Sequence, residues 1–306
     1  MLSTFILTGA TGLIGRRVYR ALRERGNDVV VLSRNPERAK SHFPDAAQVL
    51  LWAPGVAGAW SAAIDGCAGV IHLAGEPIAE ERWTEEYKKR IHGSRVDGTR
   101  EIVDAIASAG QKPAVLVSVS GVGYYGDTRD VPVDEDSPAG SDFLAGVCVE
   151  WENEAHRAED FGVRVVTPRL GIVLADDGGA LEKLLTPFKM FAGGPVGNGE
   201  QWFPWVHIDD VVGLILHAIE TQDLHGVVNA VSPGLVRNRE FAIALGEALK
   251  RPARFTVPGF VIKLALGEFG ETLLGGQRVS PRRTLESGYN FKYTDIEKAL
   301  GTLVSV

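Results

Sequence analysis

Residues 8–15 read Thr8-Gly9-Ala10-Thr11-Gly12-Leu13-Ile14-Gly15. The apolar run Phe5-Ile6-Leu7-Thr8 before them predicts a short strand. After them, Leu13, Val18, Ala21 and Leu22 recur at helical spacing, so Gly15 to Arg25 predicts an amphipathic helix. A strand, a glycine turn and a helix in direct succession is an arrangement that can bind a dinucleotide. Gly9 permits the tight turn, Gly12 lets the backbone approach a pyrophosphate, and Gly15 allows the helix to pack closely on the sheet. Thr11, Leu13 and Ile14 belong to the same expected phosphate-binding turn, where the helix N-terminus supplies amides and positive dipole. A glycine turn that serves packing alone is the other reading of these residues.

The segments that follow repeat the alternation. Val29–Leu32 predicts a strand, Asn35-Pro36-Glu37 a helix start, Val49–Trp52 and Gly69–Ala74 further strands, Thr84 to Ala109 a long helix and Ala114–Ser118 another strand. Nearly continuous apolar strands separated by helices predict an α/β fold, a doubly wound parallel sheet buried on both faces. Beyond Asp127 the pattern loosens. Residues 127–142 read as a polar surface loop, Phe143 to Phe161 as a helix, Val163 to Leu174 as one strand and Ala180 to Phe191 as a helix. A glycine-rich loop from Gly193 follows, then Val206 to Glu220, which is mostly helix with Asp209 and Asp210 near its start. Val227–Ala230 predicts a strand and residues 238–250 a helix. No Pro- or Ser-rich linker separates independent units. Residues 1–170 are assigned to the dinucleotide-binding Rossmann domain, and residues 171–306 to a small α/β substrate-binding part that returns strands and helices to it.

Composition narrows the function. The 306 residues carry 32 Lys+Arg against 39 Asp+Glu, a net charge of −7 with no block of like charge, so nucleic acid is not an expected partner. Cys67 and Cys148 can make at most one bridge, which fits neither a disulfide scaffold nor a metal framework. The opening MLSTFILTGATG has no basic n-region and the apolar runs are too short to span a bilayer, so a cytoplasmic protein without membrane attachment is expected. Glycine makes up 36 residues, about 12% against an average of about 7%, with no collagen period.

The second strand ends at Leu32-Ser33-Arg34, and no Asp or Glu lies between Val29 and Pro36. NAD sites place an acid near there for the ribose hydroxyls, whereas an arginine pairs with a 2′-phosphate. With Ser33 as a further donor and Arg38 one turn into the next helix, NADP(H) is the expected cofactor. The alternative for Arg34 is a solvated surface arginine.

With these residues in place, the chain resembles the extended short-chain dehydrogenase/reductase superfamily, and within it the atypical branch of epimerase family proteins, also labelled cell-division-inhibitor-like nucleoside-diphosphate-sugar epimerases. The resemblance runs through TGATGLIG at 8–15, HLAGEPI at 72–78, RW at 82–83, GSR at 93–95, VSGVGYYG at 119–126, DEDSP at 134–138, PRLGIVL at 168–174, FPWVHIDD at 203–210 and SGYNF at 287–291. It implies that Leu73, Ala74 and Gly75, after His72, pack against the adenine ribose and diphosphate side of the cofactor, with Glu76 and Arg82 bordering the cleft. It implies an adenine contact for Leu51 and Trp52, and a hydroxyl beside the nicotinamide for Ser120. Trp52 as plain core, Glu76 and Arg82 as a surface pair, and Ser120 as a strand-end cap are the alternatives.

The superfamily's acid/base pair is a Tyr followed four residues later by a Lys. The corresponding segment here, Asp142 to Glu152, contains neither. Phe143/Val147 and Leu144/Cys148 have the spacing but not the chemistry, and Cys148 on an apolar face reads as a buried small hydrophobe. Ser120 and Tyr125 are therefore the catalytic candidates, with Tyr124, Glu76 and His207 behind them; His207 is read chiefly as structural, at the start of a helix. Residues 193–205 read as a loop closing over substrate, with Gln201, Trp202 and Trp205 able to touch a ligand. The resemblance implies an NADP-dependent oxidoreductase or epimerase acting on a small molecule, and a homodimer. The missing Tyr and Lys leave open a non-catalytic NADP(H)-binding sensor.

Overall fold

The computed structural model describes residues 3–56 and 58–304. In chain order, the strands are β1 (Thr4–Thr8), β2 (Asp28–Ser33), β3 (Gln48–Leu51), β4 (Gly69–His72), β5 (Val115–Ser118), β6 (Ser120–Gly121), β7 (Pro132–Val133), β8 (Arg164–Leu170), β9 (Ile172–Leu174), β10 (Trp202–Phe203), β11 (Trp205–His207), β12 (Gly226–Ala230), β13 (Val236–Arg237) and β14 (Arg278–Val279). The helices are α1 (Gly15–Glu24), α2 (Pro36–His42), α3 (Glu85–Ser108), α4 (Phe143–His156), α5 (Gly179–Lys189), α6 (Ile208–Glu220), α7 (Asn238–Ala248), α8 (Gly259–Leu266), α9 (Glu268–Leu274), α10 (Arg282–Glu286) and α11 (Ile296–Leu303). None of them is long and apolar enough to cross a membrane.

One sheet dominates, in the order β3-β2-β1-β4-β5-β8-β12 with β6 beside β8. All of its pairings are parallel. Strand alternation divides the core into two layers. Leu7, Val29, Val31, Ile71 and Val117 face α1 and α6 through Val18, Leu22, Val211, Leu214 and Ile215. Ile6, Val30, Leu32, Val70 and Leu116 face the opposite side, where Ile102, Val103 and Ile106 of α3 lie. The expected doubly wound α/β sheet is therefore present, buried on both faces.

Several expected boundaries shift. The helix expected over 143–161 is α4, capped by Asp142 Oδ1 accepting from Ala145 N at 2.9 Å, followed by a 3-10 turn over Arg157–Phe161. The single strand expected over 163–174 is two, broken at Gly171. There the chain leaves β12 for β11, with Gly171 N donating to Ala230 O at 3.0 Å and Ile172 N to Pro204 O at 2.7 Å. A methyl on Gly171 would lie 2.8 Å from Val231 Cγ1. The polar segment 127–142 contains β7, which pairs with β14. Trp205–His207 is a strand that precedes α6, and the segment 193–201 is followed by β10, paired with β13.

The order reverses at β1. Its C-terminal residue Thr8 lies between Leu32 of β2 and His72 of β4. A doubly wound sheet opens its ligand crevice at such a reversal, beyond the strands' carboxyl ends. Gly9 turns there with φ +67°, and a methyl on it would lie 2.8 Å from the Leu73 carbonyl. At Gly15, a methyl would lie 2.7 Å from Ala10 Cα. Gly15→Ala is expected to lower the unfolding free energy by about 1–3 kcal/mol through overpacking. Urea unfolding checks this, and an unchanged midpoint would show that the turn can relax.

Candidate functional site

At the strand reversal, Thr8 ties the end of β1 to the end of β4. Its hydroxyl oxygen accepts from the amides of Leu73 at 3.1 Å and Ala74 at 3.2 Å, and its proton goes to His72 Nδ1 at 2.8 Å. His72 is fully buried, edge-on to Trp52 with ring centres 5.7 Å apart. Burial brings its pKa down to about 4, so it is neutral at physiological pH. Sequence reasoning gave Thr8 no role. The available signal was a hydroxyl on the strand's last residue, just ahead of the glycine turn.

Along that turn, Leu13 and Ile14 send their side chains into the core formed with Leu181 and Phe241, leaving their backbone amides as what they offer a ligand. Thr11 and Gly12 are exposed. Arg34, at the end of β2, is exposed, with Nη1 3.4 Å from Glu76 Oε2. Glu76 also stands 3.7 Å from Arg90, and its amide donates to Ser94 Oγ at 2.9 Å. Ser33 Oγ is occupied in its own turn, accepting from Asn35 N at 3.1 Å, while Asn35 Oδ1 caps α2 at Arg38 N. The Arg38 side chain is exposed on the same edge.

Leu51 and Trp52 separate. Leu51 pairs in register with Ser33 and is 51% exposed, whereas Trp52 is 2% exposed against Trp60 and Ile64. Successive strand residues face opposite ways, so the expected adenine contact of Trp52 is corrected to a core position. Arg82 does not pair with Glu76. It lies against Gly267 in the α8–α9 turn, where a methyl would be 3.4 Å from its guanidinium.

At the other end of the crevice, Ser120 Oγ is buried without a regular hydrogen-bond partner among the described residues, beside Cys148 of α4. Cys148 Sγ lies 3.7 Å from Gly121 O, and Leu144 packs against Gly123. Leu144 and Cys148 are thus the helix pair that faces this loop. Burial pushes the Cys148 thiol up to about 11, so it stays protonated at neutral pH.

Tyr125, the other catalytic candidate, stands in a buried hydrogen-bond network. It is 4% exposed, its hydroxyl donating to Asn229 Oδ1 at 2.8 Å and accepting from Arg169 at 2.9 Å. Arg169 in turn holds Glu152 bidentately at 2.8 and 2.7 Å, and Asn229 N donates to Glu135 at 2.9 Å. Burial pushes the Tyr125 phenol up to about 12. Burial opposes the charge on Arg169, and the Glu152 carboxylate more than offsets it, leaving that guanidinium above its ordinary range. The half-buried ring of Tyr124 lies on Arg169, 3.3 Å from its guanidinium carbon.

His207 is structural. Its Nδ1 caps α6 by accepting from Asp209 N at 3.1 Å, its ring stacks on Tyr293 at 3.7 Å, and burial lowers its pKa. The loop expected to close over substrate is committed to the protein. Gln201 donates to Val196 O, Trp202 Nε1 to Asp130 Oδ1 and the buried Trp205 Nε1 to Gly234 O. A cavity of about 220 Å³ beside Gln201 and Asp130 includes none of the glycine-turn residues.

Residues 5–230 match the model of the NAD dependent epimerase/dehydratase family, and residues 257–303 match a domain of unknown function, DUF1731. The chain belongs to the epimerase family. The epimerase family protein SDR39U1 homolog, chloroplastic, of Arabidopsis thaliana is 43% identical over 98% of this chain and 86% of its own. The human epimerase family protein SDR39U1 is 36% identical over 98% and 99%. A crystal structure of the human protein with NADPH superposes with a TM-score of 0.86 at 35% identity, covering 98% of both chains.

In this epimerase family member the buried network predicts separable effects. Glu152→Ala leaves the Arg169 charge unpaired and is expected to cost about 3–5 kcal/mol. Tyr125→Phe removes one hydroxyl and should cost about 1–3 kcal/mol. Chemical unfolding checks both, and a Phe variant as stable as wild type would remove the hydroxyl from the network. His72 adds a pH dependence. Its folded pKa lies below the unfolded value, so the unfolded state takes up the proton first. Stability is full above about pH 6.5 and falls by about 3 kcal/mol as pH drops to about 4. His72→Asn retains an acceptor for Thr8 and should flatten the fall in urea titrations at pH 7, 6 and 5, leaving a remainder from His207; an unaltered slope would exclude His72 as its source.

Proposed function

We infer that this family member binds NADPH across the glycine turn and uses it as an oxidoreductase or epimerase on a small molecule. Arg34 carries the reading: it directly follows β2, is exposed, and no acid lies between Val29 and Pro36 to receive ribose hydroxyls. The residues fit the cofactor. Gly9 and Gly15 close the turn so tightly that no side chain fits at either, Thr11 and Gly12 stay exposed, and the amides of Leu13 and Ile14 lie at the start of α1. Arg34 and Arg38 would hold the 2′-phosphate, Leu51 the adenine, and the Leu73–Gly75 turn the ribose and diphosphate. Glu76 can give up Arg34 because Arg90 already stands 3.7 Å away. The human relative crystallised with NADPH supports the same assignment.

When bound, the cofactor supplies hydride exchange at nicotinamide C4, and the chain supplies position. Ser120 is the hydroxyl left free to meet a substrate oxygen, since Tyr125 is committed to Arg169 and Asn229. A second reading, an NADP(H)-binding sensor without turnover, is favoured by Leu144 and Cys148 in the Tyr and Lys positions. An NADPH consumption screen with sugars, quinones and aldehydes separates the two. Turnover abolished by Ser120→Ala establishes the enzyme, whereas saturable NADPH binding without turnover on any of them favours the sensor.

Arg34→Ala is expected to weaken NADPH binding about 10- to 100-fold by calorimetry while leaving NADH affinity nearly unchanged, because a charge-assisted pair is worth about 1.5–3 kcal/mol. Equal losses for both cofactors would remove the 2′-phosphate from Arg34.

A further inference from the structure

Arg95 lies on α3, the second residue after Gly93 in the GSR stretch. Its guanidinium sits over the Trp151 ring, 5.2 Å from the ring centre. A methyl on Gly75 would lie 3.2 Å from its guanidinium carbon, so the absence of a side chain there leaves that face approachable. Nη1 donates to Ile91 O at 3.2 Å and stands 3.5 Å from Ser94 Oγ. Those are its only hydrogen bonds among the described residues, and it forms no ion pair among them. By contrast, Arg34, Arg90, Arg100 and Arg169 each hold a carboxylate. Glu76, the acid whose charge reaches Arg95, is turned toward Arg34 and Arg90.

A cation taken partly out of water without a counter-ion is destabilising, and such a group beside a cleft is a candidate for binding a ligand of opposite charge. Burial pulls the Arg95 guanidinium below its ordinary range, yet an arginine stays protonated there. Cys148 shares the same surroundings and occupies the helix position facing Ser120, so the positive charge at this corner comes from α3 and none comes from α4. The hydroxyls of a ribose are neutral and cannot compensate it. The diphosphate has its own partner in the start of α1. A planar carboxylate matches the unused N–H edges of the guanidinium.

We propose that Arg95 is a substrate-binding residue that receives the carboxylate of a small carboxylic acid at the Ser120 end of the crevice. This rests on the NADPH reading for the location of the reacting end. The substrate class is thereby narrowed to small acids that carry a carbonyl or hydroxyl near their carboxylate, within reach of Ser120.

The test uses the full chain saturated with NADPH, titrated with oxamate and separately with inorganic phosphate, and read by cofactor fluorescence. Wild type should bind oxamate saturably and phosphate more weakly. Arg95→Gln should weaken oxamate by about tenfold or more and Arg95→Lys by less, with NADPH affinity held within about threefold in both. The melting temperature of the ligand-free Arg95→Gln protein should equal or exceed that of wild type, because an uncompensated charge is removed; a structural arginine would lower it. Should the Gln variant not fold, the structural role prevails and the proposal falls, as it does if Arg95→Lys binds oxamate as tightly as wild type. Absent oxamate binding in the NADPH-loaded wild type, phosphate binding as tight as oxamate, or a tenfold loss of NADPH affinity in Arg95→Gln would each overturn the proposal. If wild type fails to bind NADPH, the cofactor reading falls by itself, and oxamate titrations of the ligand-free wild type and Gln variant followed by calorimetry still decide Arg95.

Discussion

The Leu73 carbonyl leaves no room for a side chain at residue 9. From that close approach the rest of the crevice follows. Because Gly9 can turn at positive φ against the end of β4, the chain leaves β1 directly into α1, and the start of that helix comes to the strand reversal. Thr8 adds the polar half of the same constraint. Its one hydroxyl meets the Leu73 and Ala74 amides and His72 Nδ1 together, so the ends of β1 and β4 cannot separate without breaking three hydrogen bonds at once. Glu76 and Gly75, which border the proposed cofactor and substrate positions, stand one or two residues beyond that fastened turn.

At the far side of the crevice, α4 packs against the loop that follows β5. Leu144 and Cys148 face the Ser120–Gly123 loop with apolar surface and a protonated thiol, and one turn later Glu152 is committed to Arg169. That pair is almost wholly buried, and it holds together α4, β8, the Tyr124–Tyr125 turn and, through Asn229, β12. A buried ion pair is poor evidence of net stability, since two desolvated charges offset much of their attraction. Its consequence here is geometric: through Tyr125 it fixes the turn that follows Ser120.

The parallel sheet was legible because its strands are continuous apolar runs spaced by helical patterns, and the glycine turn because its flanks are unambiguous. Family membership was legible from motifs spread over the chain. Orientation within a pair of neighbours was not. Leu51 and Trp52 differ by one residue, and in a strand that one step sends the first to the crevice edge and the second to the core. Tyr124 and Tyr125 divide in the same way, and only the position of Arg169, forty-four residues along from Tyr125, shows which phenol is bonded. Gly171 interrupts a run whose composition is uniformly strand-like, because the break is set by the backbone of Pro204 and the side chain of Val231. Helices α8 and α9 are short, and α8 has no buried residue despite its apolar composition, so periodicity carried little signal there.

Arg34 and Glu76 show how a binding edge can be set in advance at small cost. The pair is solvent-facing at 3.4 Å, with Arg34 73% exposed, a geometry worth at most about 1 kcal/mol. It holds the long arginine side chain near the crevice, reducing the rotamer freedom that a ligand phosphate would otherwise have to freeze. A dianionic phosphate outcompetes so weak a partner, and Glu76 retains Arg90 on its other oxygen when displaced.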